Sequence, residues 1–229
     1  MAFQSKREKA ESLRRKGCSL QEISDRLKTS KSTISYWCRN IALSDQHIRT
    51  LAEKQKTAGA LGRLRAAELK RNARILHTRK AAMRGASDVG KINRRDLMML
   101  GIALYWGEGY KNGNEECGLT NSDPALILTF IAWLERIYTI HKNDLILRVS
   151  VNIIHQNRIN DVEQFWSKVT GIPRSQFTKA SLIRSKTEKK YSDLSKHMGT
   201  LRVKVRRATS LRRRIIGSVN EVSRQIILQ

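Results

Sequence analysis

The sequence is short of acidic residues, of cysteine and of long apolar runs, and each shortage excludes a class of protein. Asp and Glu number 20 in 229 residues, against 45 Lys and Arg. The three cysteines, Cys18, Cys38 and Cys117, are far apart and odd in number, which argues against a disulfide framework or a zinc ribbon and predicts a reducing, cytoplasmic location. No apolar run approaches the roughly 20 residues of a membrane span, and the N-terminus lacks the apolar region of a signal peptide.

The excess of basic residues predicts a polyanionic partner. The formal net charge is +25, and nucleic acid is the polyanion that such a chain most often binds. Generic solubility or association with ribosomes is the alternative. Hydrophobic residues make up 40% of the chain, which is enough for a packed core and argues against disorder. The length allows one large domain or two small ones.

The first 43 residues carry the spacing of a small helical domain. The stretch from Lys6 to Arg15 predicts a helix, and Gly17 is suited to end it. Ser19 follows with Glu22 three residues later, which is the pattern of a capping box at the start of a second helix. A tight turn between this helix and a third one is therefore expected.

The third helix completes a helix-turn-helix pattern. Ser30 is placed to cap it, and Ile34 and Trp37 are spaced to face inward. The stretch resembles the resolvase-type helix-turn-helix modules of bacterial and archaeal DNA-binding proteins. It departs from them at the turn, where Lys28 replaces the usual glycine and Thr29 replaces an apolar residue. A left-handed Lys28 is strained, so a looser or different turn is expected.

The resemblance implies which residues of the third helix face the DNA. They are Lys31, Ser32, Thr33, Ser35 and Tyr36. Lys31 and Ser32 lie at the helix N-terminus, where backbone amides also favour phosphate. Ser32, Thr33 and Tyr36 are the candidates for contacts with base edges. A plain three-helix packing unit is the alternative.

Residues 44–92 predict a basic helical connector. Apolar residues recur at helical spacing from Ser44 to about Arg84 without a proline, which fits one long helix or two shorter ones. Its basic residues, too dense for Glu68 to balance, are Arg63, Arg65, Lys70, Arg71, Arg74, Arg79, Lys80 and Arg84. Such a helix suits phosphate binding, and a solvated spacer is the alternative. The two glycines between Arg84 and Lys91 predict a domain boundary.

Residues 93–229 alternate helices with strands. Asn93 and Asp96 predict a helix start, and Pro124 predicts another. The segments LILRVSVNI and TLRVKVRR alternate apolar and polar residues, as strands with one buried face do. The predicted order is helix, strands, helix, strand, helix, strands, helix. With the N-terminal helices, this gives the whole chain a predicted mixed α/β (α+β) class.

The polar positions of these two strands predict a basic surface that binds DNA. They are Arg148, Ser150, Asn152, Arg202, Lys204 and Arg206. A basic sheet face can bind the phosphates that flank a groove. A solvated sheet face is the alternative.

The stretch LGIALYWGEGYK resembles the signature helix of the LAGLIDADG homing endonucleases. Gly107-Glu108-Gly109 falls on the closing triplet of that motif, and Ala103 falls on its first glycine. The resemblance covers about residues 93–225 and implies an αββαββα domain with a curved antiparallel sheet. It also implies that Glu108 binds Mg²⁺ and that two copies of the single motif pair through the Gly101–Gly109 helix. Trp106 departs from the family, which has a small or acidic residue there.

Three functions follow, in order of preference. The first is a sequence-specific double-stranded DNA-binding protein, a regulator or a mobile-element-encoded binder, with a helix-turn-helix in residues 1–43, a connector in 44–92 and a LAGLIDADG-like domain in 93–229. The second is a Mg²⁺-dependent homing endonuclease that cuts DNA as a homodimer, with Glu108 as its acid. The third is an RNA-binding or splicing-helper protein. In the structural alternative, Glu108 only ends its helix and pairs with Lys111.

Overall fold

The computed structural model describes residues 2–55, 59–111, 115–184 and 197–228, without the side chains of residues 2 and 3. The described residues form two compact units, which divide after Gly90. Among the residues that the structure describes, none of the helices combines the length and the apolar character that a membrane crossing requires.

Three short helices begin the first unit: α1 (Ala2–Arg15), α2 (Leu20–Leu27) and α3 (Lys31–Trp37). Helix α1 begins four residues before the predicted Lys6. The capping box at α2 is formed, because the backbone amide of Glu22 donates to Ser19 Oγ at 3.0 Å and the amide of Ser19 donates to Glu22 Oε2 at 2.7 Å. Local hydrogen bonds therefore fix the start of α2.

The turn between α2 and α3 differs from the looser turn that the sequence predicts, because Lys28 takes the left-handed conformation in spite of its side chain. Lys28 adopts the left-handed conformation, with φ 47° and ψ 54°, and ends α2. Ser30 then caps α3 by accepting a hydrogen bond from the amide of Thr33 at 3.3 Å. The three helices bury a common cluster that consists of Ala10, Ile23, Ile34, Trp37, Cys38 and Ile41.

Two further helices complete the first unit, α4 (Asp45–Gln55) and α5 (Ala60–Val89). Of the two arrangements that the sequence allows for this segment, the structure has two helices, and residues 56–58 lie outside the described part. The two helices pack around a second cluster, in which Leu43, Ile48 and Leu51 are buried.

Glu68 of α5 ties that helix to the end of the three-helix segment. Its side chain is buried, and its Oε1 accepts a hydrogen bond from the backbone amide of Leu43 at 2.8 Å. Its other oxygen pairs with Arg71. Arg74, one turn further along, donates to the backbone carbonyl of Arg39 and to Asn40 Oδ1, the latter at 3.0 Å. The first half of α5 is thus part of the N-terminal packing.

The described part of the second unit contains four α-helices: α6 (Arg94–Glu108), α7 (Pro124–Tyr138), α8 (Ile159–Thr170) and α9 (Thr209–Ile227). Short 3-10 turns span Lys142–Asp144, Ile153–Arg158 and Arg174–Gln176. Asn93 caps α6, with Asp96 completing a second capping box, as the sequence predicts. Pro124 occupies the first turn of α7, where the missing amide hydrogen costs nothing.

The described strands of the second unit form one four-stranded sheet. They are β1 (Gly118–Asn121), β2 (Leu145–Asn152), β3 (Ser181–Ile183) and β4 (Thr200–Val205), in the spatial order β1-β4-β2-β3. Strand β4 is antiparallel to both β1 and β2, whereas β3 is parallel to β2. The mixed α+β class is therefore confirmed.

The expectation of an antiparallel sheet is wrong for one pair of strands. Helix α8 lies between β2 and β3 in the chain, and a crossover of this kind returns the second strand parallel to the first. The described order from α6 onward is also αβαβαββα, with a single strand between α6 and α7. Next to β1, Gly109 pairs with Leu119 in an isolated bridge, and residues 112–114 lie outside the described part.

One face of the sheet packs against all four helices in a single buried cluster. Alternate residues of β2 and β4 point into it, as the sequence pattern predicts. Gly101 of α6 lies against the ring of Trp133 on α7, so closely that an added Cβ would fall 2.1 Å from the ring. The small residue at position 101 thus makes room for an aromatic side chain. A Cβ at Gly107, by contrast, would meet no atom within 4 Å.

Candidate nucleic-acid interface

The outward face of α3 carries the residues that the sequence assigns to DNA. Lys31, Ser32, Ser35 and Tyr36 are exposed, and Thr33 is half-buried. They stand opposite the buried side chains of Ile34 and Trp37, so the packing of the helix fixes which way this face points. The five residues form one short, polar surface in the first unit.

Hydroxyl groups at the start of α3 are bonded to one another. Ser30 Oγ lies 3.1 Å from Ser32 Oγ and 2.7 Å from Thr33 Oγ1. These contacts hold the side chains of the first turn in place. A hydroxyl can rotate to exchange such a contact for one with a base or phosphate oxygen, because it donates and accepts.

A residue that the sequence reasoning missed extends this surface at the other end of α3. The guanidinium carbon of Arg39 lies 4.8 Å from the centre of the Tyr36 ring, and the ring is 61% exposed. An exposed arginine stacked on an exposed aromatic ring suits recognition of phosphate or of a base. The signal in the sequence was the spacing of three residues between an aromatic residue and an arginine at a helix end.

The basic residues of α5 divide into two groups. Arg71 pairs with Glu68, and Arg74 bonds to the segment that follows α3. These two side chains therefore hold the unit together. Six others are exposed along the helix: Arg63, Arg65, Lys70, Arg79, Lys80 and Arg84. The exposed group offers positive charge to a polyanion.

The sheet brings together three of the predicted basic residues in the second unit. Arg148 on β2 lies directly opposite Arg202 on β4, and Lys204 lies two residues further along β4. The Arg202 and Lys204 side chains are 18% and 26% exposed. This face is therefore less open than the alternating pattern alone predicts.

An acid that the sequence reasoning did not select neutralises part of this face. Glu116 pairs with Arg202 through one oxygen and accepts a hydrogen bond from Lys204 Nζ at 2.8 Å through the other. The bond from Lys204 and the nearby charge of Arg202 lower the pKa of the Glu116 carboxyl, against the opposing effect of burial. The signal in the sequence was an acid just before a strand in a strongly basic domain.

Arg148 has a side-chain donor that lacks a hydrogen bond. Its Nε atom is buried and has no hydrogen-bond partner among the residues that the structure describes. Arg202 stacks over the ring of Tyr110, with its guanidinium carbon 5.6 Å from the ring centre. Tyr110 in turn bonds through its hydroxyl to Thr120 of β1. The residues around Arg202 are thus ordered by specific contacts.

The remaining predicted sheet residues have different surroundings. Ser150 is half-buried on β2 opposite Thr200. Asn152 ends β2, and its Oδ1 accepts a hydrogen bond from the amide of Ile154 at 3.1 Å. Arg206 is exposed in the turn after β4. The first two positions are therefore less accessible to a ligand than Arg206.

Glu108 lies at the exposed C-terminal end of α6. Asn121 Nδ2 donates to Glu108 Oε2 at 3.5 Å, a long hydrogen bond. Lys111 does not pair with this carboxylate in the described structure. Its Nζ donates to the backbone carbonyl of Trp106 at 2.6 Å and to that of Gly107 at 3.4 Å, which satisfies the end of the helix.

Among the residues that the structure describes, those near Glu108 do not complete a Mg²⁺ site within one chain. The Asn121 amide oxygen is already bonded to the amide of Asp123 at 2.9 Å, and the Asp123 carboxylate caps α7. In the described part of the chain, no group of three or more His, Cys, Asp or Glu residues is arranged to hold a metal ion. A single carboxylate binds Mg²⁺ only with help from phosphate oxygens or from a second chain.

Comparisons of the chain with family models, with curated proteins and with solved structures find no match.

Proposed function

We propose that the chain is a sequence-specific double-stranded DNA-binding protein that reads its site with α3. The observation that carries this proposal is the exposed polar face of α3, which begins at a hydroxyl-capped turn and ends in the Tyr36–Arg39 pair. The helix is short, but its inward side chains anchor it in a buried core. A rigid helix with short polar side chains at its start suits contacts in the major groove.

The second unit supplies contacts with the phosphate backbone in this proposal. The exposed Arg206 and the half-buried Arg148, Arg202 and Lys204 lie on or beside one sheet face. Phosphate contacts position a protein on DNA, whereas base contacts specify the site. Because Glu116 offsets part of the charge, the sheet contributes fewer phosphate contacts than its count of basic residues suggests.

The test begins with selection of a binding site from a randomised duplex pool. Affinity for the selected site is then measured by fluorescence anisotropy at several salt concentrations, with a scrambled duplex and a duplex RNA as competitors. Each phosphate contact contributes about −0.9 to the slope of log K against log salt, so a steep negative slope is expected. A slope near zero, or equal competition by the RNA, would contradict the proposal.

Variants separate the two kinds of contact. Ser32→Ala and Thr33→Ala should change which sequences are selected, whereas Arg206→Ala should weaken binding to all sequences alike. Ser12→Ala, at an exposed position of α1, is the matched control and should leave both properties unchanged. If Ser32→Ala and Thr33→Ala select the same sites as the unaltered protein, α3 does not read the bases.

A DNA endonuclease that acts as a pair of chains is the second candidate. The observation that favours it is an exposed apolar strip on α6, where Leu100 is 48% and Trp106 is 42% exposed, that ends at Glu108. Pairing of two copies along this strip would bring two carboxylates together. The test is nicking of a plasmid that carries the selected site, in Mg²⁺, by the unaltered protein and by Glu108→Gln. Cleavage that the substitution abolishes while binding persists would support this candidate, and absence of cleavage by the unaltered protein would exclude it.

A further inference from the structure

The first unit contains a cavity that its proposed DNA-binding role leaves unexplained. It has a volume of about 430 Å³ and lies among residues of α1, α2, α4 and α5, with Lys31 at the start of α3 also on its wall. A volume of this size is in the range of pockets that bind small organic molecules. Its apolar lining consists of Leu20, Leu43, Ile48, Leu51, Leu64 and Ala67.

A buried arginine stands on the wall of this cavity. Arg14 is only 5% exposed, although it carries a full charge. Its Nη1 donates to the backbone carbonyl of Cys18 at 2.9 Å, and its Nε is buried without a hydrogen-bond partner among the described residues. A buried charge is costly unless it is paired with an opposite charge.

The neighbouring side chains do not supply that pairing. Glu68 is the buried carboxylate nearby, but its oxygens are taken by the amide of Leu43 and by Arg71. Arg14, Arg71 and Glu68 together therefore carry one excess positive charge. Burial and the like charge of Arg71 lower the pKa of Arg14, and the attraction of Glu68 only partly opposes them.

The other charged groups on the wall are largely matched. Glu22 pairs with Lys54 at 3.0 Å, and Asp25 accepts a hydrogen bond from Gln21 at 2.9 Å. Asp25 and Lys31 are exposed and opposite in sign, so the buried charge that lacks a carboxylate of its own is at Arg14, beside the apolar lining. A ligand that fits both features has an apolar body and one anionic group.

We propose that this cavity is a binding site for a small organic anion, with an apolar body packed on Leu43, Ile48 and Leu64 and its carboxylate, sulfonate or phosphate group beside Arg14. The site goes beyond the proposed DNA binding, and its test needs no DNA. Because Lys31 lines the cavity and also belongs to the outward face of α3, a ligand in the cavity would lie next to a residue of that face.

The experiment uses the full chain and two probes that differ only in a sulfonate group. One is 8-anilinonaphthalene-1-sulfonate, which has an apolar body and one sulfonate, and the other is N-phenyl-1-naphthylamine, which lacks the sulfonate. Fluorescence titration should give saturable binding of the sulfonate at one site. The neutral probe should bind about tenfold more weakly or worse, the equivalent of one charge-assisted hydrogen bond.

Two adjacent alanines locate the site. Ala67 lines the cavity and Ala66 does not, and both are exposed on α5, so a phenylalanine at either position leaves the core untouched. Ala67→Phe should occupy the cavity and weaken sulfonate binding about tenfold or more, whereas Ala66→Phe should bind as the unaltered protein does. Equal affinity in the two variants would overturn the proposal.

Two adjacent arginines test the charge. Arg14→Gln should weaken sulfonate binding about tenfold and remove the preference over the neutral probe, whereas Arg15→Gln, at an exposed position, should change neither. Circular dichroism confirms that each variant is folded. If Arg14→Gln does not fold, the comparison of the two probes on the unaltered protein still decides the matter, because equal affinity for both would overturn the anionic site.

Discussion

At the scale of single residues, Lys28 is one of the non-glycine residues whose backbone takes the left-handed conformation. It holds a left-handed conformation at the end of α2, where a non-glycine residue costs roughly 1 kcal/mol or more. We expect Lys28→Gly to raise the free energy of unfolding of the first unit by about 0.5–1 kcal/mol, since the greater freedom of glycine in the unfolded chain offsets part of the gain.

Urea unfolding followed by circular dichroism measures this change. Lys9→Gly, in the exposed middle of α1, is the control and should lower the free energy of unfolding by about 1 kcal/mol. A loss of stability in both variants would show that Lys28 makes a contact that compensates for its conformation.

Glu116 is a residue whose ionisation should affect the stability of the second unit. Its pKa is lowered in the folded protein, chiefly by the hydrogen bond from Lys204 and then by Arg202. The ionised form is thus favoured by folding. Its contribution is fully present above the usual pKa of a glutamate, near 4.5, and is lost as the pH falls through the lowered value.

Thermal unfolding between pH 7 and pH 3 tests this expectation. Glu116→Gln should melt at a lower temperature than the unaltered protein at pH 7, and the difference should shrink as the pH falls. Glu135→Gln, which removes a carboxyl group on α7, is the control. A difference in melting temperature that stays constant across this range would mean that the charge of Glu116 does not stabilise the sheet.

At the scale of elements, the contact between α6 and α7 depends on the absence of a side chain at Gly101. An added methyl group would overlap the Trp133 ring, and this ring is fully buried. We expect Gly101→Ala to destabilise the second unit by about 2 kcal/mol, because overpacking a core typically costs 1–3 kcal/mol.

The same helix provides the matched control for this prediction. Gly107 also lies in α6, but nothing lies within 4 Å of its added Cβ. Gly107→Ala should therefore raise the free energy of unfolding by roughly 0.5–1 kcal/mol through helix propensity alone. Chemical unfolding monitored by tryptophan fluorescence measures both variants. If both substitutions change the free energy of unfolding in the same direction, helix propensity rather than the contact with Trp133 determines the effect of an added methyl group on α6.

Helix starts that are fixed by a cap or a proline were the features that the sequence predicted best. Ser19 with Glu22, Asn93 with Asp96, and Pro124 each start a helix through hydrogen bonds or backbone limits that involve near neighbours only. Strand direction depends on distant partners, so the alternating residues of β2 identified the strand but not its parallel pairing with β3. The crossover through α8 was the available signal for that pairing.

The candidate site residues were likewise predicted where near neighbours determine their position and missed where distant partners do. Helical spacing placed Ser32 and Tyr36 on the outer face of α3, because the inward residues of a helix determine its outward ones. The roles of Glu68 and Glu116 were missed, since each depends on partners 25 or more residues away in the chain. Net charge showed that basic residues are in excess but not which of them are paired.

At the scale of the whole molecule, the described residues have separate cores on either side of Gly90. The clusters around Ile34 and around Ile48 use only residues of the first unit, and the large cluster beneath the sheet uses only residues of the second. We therefore expect two unfolding transitions in calorimetry.

Glu68→Gln should identify the first of these transitions. The substitution keeps the hydrogen bond to Leu43 but removes the charge between Arg14 and Arg71, so it should destabilise the first unit by about 3 kcal/mol. The second transition should not move. Glu53→Gln, at an exposed position of α4, is the control. A single transition that shifts as a whole would show that the two units unfold together.

The density of basic residues in helix α5 should make the helical content of this segment depend on salt concentration. No acid lies between Glu68 and Asp88, and like charges stand four residues apart at Lys70 and Arg74 and at Lys80 and Arg84. Residues 76–89 are exposed, so little packing offsets the repulsion between Lys80 and Arg84 in this half of the helix. Added salt screens that repulsion and should increase the helical content there, whereas the same salt should weaken the proposed binding to DNA. The helical content of α5 and the affinity for DNA would then respond to ionic strength in opposite directions. Bound DNA would screen the same repulsion that the salt screens.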